Sequence, residues 1–185
     1  MTPQLIISLS AGAILYLSNY NDKPEEVPMK LVQEYYNLHK GDSLPSICHG
    51  TEAGGRMEHG KLMPFEGKNF RCYDEGSYLM GHEFMSDKMM NTLLASYEEL
   101  ETTAQGRLFC YMESGLDTGG PIPGHRTHQN GRSVDLMVSL VQDSLPYYKL
   151  DSLGGWHYSL DFDDRGRYSR DSTITIDFNL LGLQI

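Results

Sequence analysis

Residues 107–141, RLFCYMESGLDTGGPIPGHRTHQNGRSVDLMVSLV, decide how the rest of the chain is read. RLFCYME alternates its apolar side chains as a strand does, and SVDLMVSLV does the same. The loop between them is rich in glycine and proline and carries His125, Arg126, His128 and Arg132. His128 stands at the end of that loop, and Gly131 lets the backbone turn sharply before the second strand begins. Asp135 then falls on the strand, where its side chain can project back toward the loop. Neutral imidazole and carboxylate are natural zinc ligands, and catalytic zinc sites keep one tetrahedral position for water. The same residues also have a plain reading: a strand aspartate bonded to loop backbone, and a polar histidine with no metal. Spacing alone does not choose between them.

Working outward, MKLVQEYYNLHKG places Leu31, Val32, Tyr35, Tyr36 and Leu38 on one helical face, with Gly41 as its stop. GGRMEHGKLMP predicts a hairpin turning at Gly60, with His59 in the turn, and residues 69–73 predict a short strand. SDKMMNTLLASYEELETTAQG predicts the firmest helix. Ser86 is its N-cap, Met89, Met90, Leu93, Leu94, Tyr97 and Leu100 form its core stripe, and Gly106 follows its end. WHYSLDF, the turn DDRG and a strand through STITIDF predict a last hairpin, and Asp177 is placed to cap a new helix. DFDDRG has a partial calcium-loop pattern, but Arg165 and Ser172 stand where ligands belong, so a polar turn is the reading. The expected class is α+β, a mostly antiparallel sheet with flanking helices.

The chain has 185 residues, 39% hydrophobic and 22% charged, which suits one globular domain. Its formal charge of −10 argues against non-specific nucleic-acid binding. Against that acidity the cluster of His125, Arg126, His128 and Arg132 reads either as a site for an anionic ligand or a metal or as an ordinary mixed-charge loop. Three cysteines, Cys48, Cys72 and Cys110, lack the C-x-x-C spacing of a cysteine zinc site, and permit one disulfide and a spare thiol. Cys110, alternating with Leu108 and Met112, reads as a buried core thiol. Residues 1–18 contain the apolar run LIISLSAGAILYL, too short to span a bilayer comfortably but of the length of a signal-peptide core. It reads either as an export signal or as a buried first segment of the fold. Residues 19–28 read as a linker, and 29–185 as the domain.

HRTHQNGRSVD resembles the G-H-x-S-H-Q-x-G-L-x-V-D segment of penicillin-insensitive murein endopeptidases, within the wider group of lysostaphin-type and D-Ala-D-Ala zinc metallopeptidases. HGTEAGGRMEHGKLMPFEGKNFRCY, YMESGLDTGG and SLDFDDRGRY also look like an endopeptidase-like branch, so the resemblance covers about residues 46–177. It implies a metallopeptidase-like fold and zinc as cofactor. Peptide bonds of peptidoglycan or muropeptides would be the substrate, and the periplasm or cell envelope the location if the N-terminal run is an export signal. His128 and Asp135 match the first two zinc ligands, and His125 a further catalytic histidine of the loop. Glu113, at the end of the preceding strand, is placed to hold a ligand histidine from behind, with a solvent-facing strand-end charge as the plain alternative. Gln129, Asn130 and Arg126 are the candidates for loop orientation or substrate contact.

Two departures stand out. The family's third ligand lies in a C-terminal H-x-H pair, and this chain has none; His157 is its only histidine after Asp135. The domain is therefore expected to be C-terminally incomplete, with His157 a substitute ligand if its strand lies beside the loop. His49, His59 and His82 have no favouring spacing. Arg132 also stands where the family has leucine. The rival expectation is a non-catalytic wall-binding or structural relative with an incomplete metal site.

Overall fold

The computed structural model of the chain describes residues 27–184. The apolar segment at 1–18 and all of the linker except Val27 and Pro28 lie outside the described residues. Helix α1 (Met29–His39) leads to the hairpin β1 (Ile47–Thr51) and β2 (Gly54–Glu58), then β3 (Lys61–Leu62) and β4 (Phe70–Cys72). Helix α2 (Glu75–Met80), strand β5 (Phe84–Met85), helix α3 (Asp87–Thr103) and strand β6 (Phe109–Tyr111) come next. Beyond the histidine loop lie β7 (Leu140–Gln142), β8 (Leu145–Tyr147), a 3₁₀ segment (Asp151–Ser159), β9 (Arg167–Tyr168), β10 (Asp171–Ile176) and α4 (Phe178–Gln184).

The class is mixed α and β, with small, mostly antiparallel sheets. β1 pairs with β2, β3 with β5, and β8-β7-β10-β9 form a four-stranded antiparallel sheet; the β4–β6 pair is parallel. Helix α3 follows its sequence closely. Ser86 Oγ accepts the Met89 N–H, Asp87 puts negative charge in the first turn, and Leu93, Tyr97 and Leu100 are buried at helical spacing. All three residues of β6 are buried, and Phe70 of β4 stacks on Tyr97 at 4.6 Å. The deep phenols of Tyr78 and Tyr111 donate to the carbonyls of Met63 and Pro64, so these two rings sit in the core without stranding their hydroxyls. A smaller cluster around Leu140, Tyr168 and Ile174 lies on the four-stranded sheet.

Four sequence expectations change. In α1 only Val32 is buried, and Leu38 is 80% exposed, because the helix leans on α2 through the Val32–Tyr35 edge. The hairpin forms one strand earlier than the Gly60 turn. β2 pairs back onto β1, while Met57 N–H goes to the Thr118 carbonyl, so β2 has no edge left for β3. WHYSLDF is not a strand. Residues 156–159 end the 3₁₀ segment, which is kinked where Gly154 takes φ 55° and a Cβ would lie 2.7 Å from Asp74 Oδ2, and of the remainder only Phe162 pairs, in an antiparallel bridge to Tyr168. The three cysteines are all free thiols, and Cys72 and Cys110 are buried, as read for Cys110.

Other expectations hold. Asp177 Oδ1 accepts the Leu180 N–H at the start of α4. Asp163 binds the N–H groups of Arg165 and Arg167 and the Arg167 guanidinium, which makes DDRG a self-satisfied polar turn. No helix among the described residues is long and apolar enough to cross a membrane.

Asp151, at the start of the 3₁₀ segment, is buried, and burial pushes its carboxyl up to about 6, against the pull of Arg71 and Arg107. In the unfolded chain this acid titrates near 3.8. The folded state therefore binds the proton more tightly, and stability should rise as pH falls from about 6 toward 4. The upper bound is roughly 3 kcal/mol for a shift of this size. Thermal melts of Asp151→Asn should show more gain over wild type at pH 7 than at pH 5. An equal offset at both values would exclude this linkage.

Candidate metal centre

β6 and the segment after the histidine loop build the site between them. Asp135 N–H donates to the Glu113 carbonyl at 3.0 Å and Met112 N–H to the Asp135 carbonyl at 2.8 Å, while Met137 N–H reaches Cys110. Residues 135–137 thus extend β6 in antiparallel fashion, as the alternation in SVDLMVSLV implies, although the regular strand β7 starts only at Leu140. On the loop, His128 takes φ 71°, a left-handed conformation uncommon outside glycine. Gly115 makes room for it, since a Cβ there would meet the His128 carbonyl at 2.9 Å.

This backbone brings His125, His128 and Asp135 together. One ligand atom from each lies within 4.8 Å of the others, and the group could hold a metal ion. His128 is 2% exposed and Asp135 side chain 36% exposed, so the centre opens to water on the aspartate side. His128 Nε2 and Asp135 Oδ1 are 3.4 Å apart. Two ligand atoms about 2.0–2.1 Å from one tetrahedral ion sit roughly 3.3–3.4 Å from each other. The separation is long for a direct hydrogen bond and right for the edge of such a tetrahedron. The His125 ring stands edge-on to His128, with centroids 5.2 Å apart.

His128 and Asp135 shift each other. Burial depresses the His128 ring, but Asp135, with Glu113 behind it, outweighs burial and leaves its pKa raised. Asp135 is held below the usual carboxylate range by His128 first, then Tyr158, against burial. His128 Nδ1 is buried without a well-formed hydrogen bond, and the Ser114 backbone exerts the weakest pull on the ring.

Glu113 is not the solvent-facing strand-end charge of the plain reading. It is 6% exposed, Tyr73 Oη donates to its Oε1, and Tyr158 Oη lies 2.6 Å from its Oε2. Tyr158 Oη is also 2.9 Å from Asp135 Oδ2, and its ring stands edge-on to His125 at 5.9 Å. Glu113 therefore supports the site through tyrosines and not by holding a ligand histidine. Desolvation first, and the facing carboxylates next, push the Tyr158 phenol far up, so it stays a proton donor.

The other candidates lie elsewhere. His157 is buried in the 3₁₀ segment with Nδ1 3.4 Å from the Leu150 carbonyl, outside the ligand group, so the expected substitute ligand is not brought to the site. His125 supplies the third donor instead. Asn130, a candidate for loop orientation or substrate contact, is fully buried, and its amide leans on the Gly50 carbonyl, which fits loop orientation. Gln129 is half-buried and ties the loop by N–H to Glu52, while Arg126 is exposed. His49 pairs with Glu58 and His59 with Asp42, both away from the centre. His82 is half-buried with Nδ1 3.5 Å from Ser77 Oγ; burial lowers its pKa, and Glu113 and His125 act on it from nearby. Sequence reasoning missed Tyr73 and Tyr158, which no local spacing signals. Two surface depressions, around Asp42 and Lys61 and around Asp87 and Asn91, contain none of the three ligand candidates.

No protein-family model matches the chain, and no curated protein matches it.

Proposed function

We propose that this chain is a zinc-dependent hydrolase of peptide bonds in peptidoglycan, acting in the periplasm or cell envelope. The convergence of His125, His128 and Asp135 within 4.8 Å carries the reading. The resemblance of HRTHQNGRSVD to the murein endopeptidase segment supplies the substrate class. Two imidazoles and one carboxylate oxygen suit zinc and leave a fourth position for a small molecule. A zinc ion there would polarise a peptide carbonyl and bring water toward neutral pKa.

The chain's own residues do the rest. Asp135 keeps one oxygen toward His128 and the other toward Tyr158. Glu113 Oε2 is the proton acceptor, reached through the Tyr158 phenol 2.6 Å away, and returns the proton to the leaving amine by the same route. Tyr73 fixes the other Glu113 oxygen, so the carboxylate does not swing during the transfer.

The test is incubation of the full chain and zinc with purified muropeptides, read by mass spectrometry. Fragments with a new amine and a new carboxyl end are expected, lost with a chelator and restored by zinc. Zinc binding without any cleavage would replace this reading by that of a non-catalytic wall-binding relative.

A further inference from the structure

Two carboxylates stand at this centre, yet only one joins the ligand group. The reason lies in one hydroxyl. Tyr158 Oη sits 2.6 Å from Glu113 Oε2 and 2.9 Å from Asp135 Oδ2, while Tyr73 Oη donates to the remaining Glu113 oxygen. Both oxygens of Glu113 are thereby engaged by phenols. The one Tyr158 proton is shared with Asp135 Oδ2, which leaves Oδ1, the oxygen 3.4 Å from His128 Nε2, as the one oxygen of either carboxylate with no phenol on it.

The ring is fixed from two sides. It packs edge-on against His125, and it is carried by the 3₁₀ segment, whose Gly154 kink sits against Asp74. Its hydroxyl is therefore a spacer of set position between Glu113 and the ligand group. Donor type sorts divalent cations: imidazole-rich sets suit zinc, whereas carboxylate-rich sets suit manganese, magnesium and calcium. Removing the hydroxyl would release Glu113 Oε2 and Asp135 Oδ2 together and convert a two-imidazole, one-oxygen set into an oxygen-rich one.

We infer that Tyr158 is a positioning residue that determines metal specificity: its phenol keeps Glu113 out of the ligand set and holds Asp135 to a single oxygen, favouring zinc over harder cations. This rests on the metal reading of the His125–His128–Asp135 group. It does not require catalysis.

The experiment is calorimetric titration of the full-length wild type and Tyr158→Phe with zinc and, separately, with manganese, joined by the visible absorption of the cobalt-loaded proteins. In Tyr158→Phe, zinc affinity should fall about tenfold, as for other residues that orient ligands. Manganese affinity should rise by at least about tenfold, because oxygen donors are gained. The cobalt bands should weaken as coordination rises above four. Adding Glu113→Gln to Tyr158→Phe should remove the larger part of the manganese gain and leave the part supplied by the freed Asp135 oxygen. An unchanged zinc-to-manganese ratio in Tyr158→Phe would overturn the inference while leaving the metal reading intact. Absence of zinc binding in the wild type would overturn both. Manganese gain that survives undiminished in the double variant would remove Glu113 from the account.

Discussion

His128→Gly and Asp135→Asn should each lower zinc affinity by a factor on the order of a hundred or more, from one tightly bound ion per chain. The magnitude follows from sharing a binding free energy of roughly 10–16 kcal/mol among the three protein ligands. These substitutions spare the fold. His128 already holds φ 71°, where glycine is at ease, so removing its side chain relieves backbone strain while opening a cavity the size of an imidazole. Free imidazole should enter that cavity and restore part of the affinity, which a merely misfolded variant could not show. Asparagine at 135 keeps an oxygen for Tyr158 and loses the charge that His128 and a cation require. Calorimetry on the wild type and both variants decides the matter. Zinc binding indifferent to both changes would place the ion elsewhere and remove the centre described above.

How much of this was legible in sequence depends on the range of the interaction. Ser86 and its stripe of Leu93, Tyr97 and Leu100 specify α3 because cap and periodicity act within a few residues. The Asp177 cap is equally local. The facing of His128 and Asp135 was also readable, since a glycine turn followed by a strand brings such a pair together over seven residues. His125 was expected nearby, but its place as third donor was not readable: three residues in a loop, unlike three in a helix, fix no direction. The partners of Glu113 lie 40 and 45 residues away, beyond any spacing rule. WHYSLDF alternates like a strand and failed as one because Gly154 packs against Asp74, a contact made only in the fold. The Gly60 hairpin failed for a related reason, Thr118 having taken the edge of β2.

Glu113→Ala should cost roughly 3–5 kcal/mol of stability in urea denaturation, because it strips a buried charge from two phenols at once. The two phenols do not contribute equally. Tyr73 is 8% exposed and has no water to turn to, whereas Tyr158 is half-exposed and keeps Asp135 as a second acceptor. Most of the loss should therefore run through Tyr73. A double-mutant cycle separates the two: Tyr73→Phe alone should destabilise the wild type, but in the Glu113→Ala background it should be neutral or stabilising, since it removes a hydroxyl already orphaned. The coupling energy for that pair should reach about 1.5–3 kcal/mol, the range of a hydrogen bond to a charged group, and the Glu113–Tyr158 coupling should be smaller. Equal couplings would mean that Tyr158 is as sheltered as Tyr73. A loss below about 1 kcal/mol for Glu113→Ala would mean that water reaches the carboxylate, and a solvated Glu113 could not hold Tyr158 in place beside Asp135.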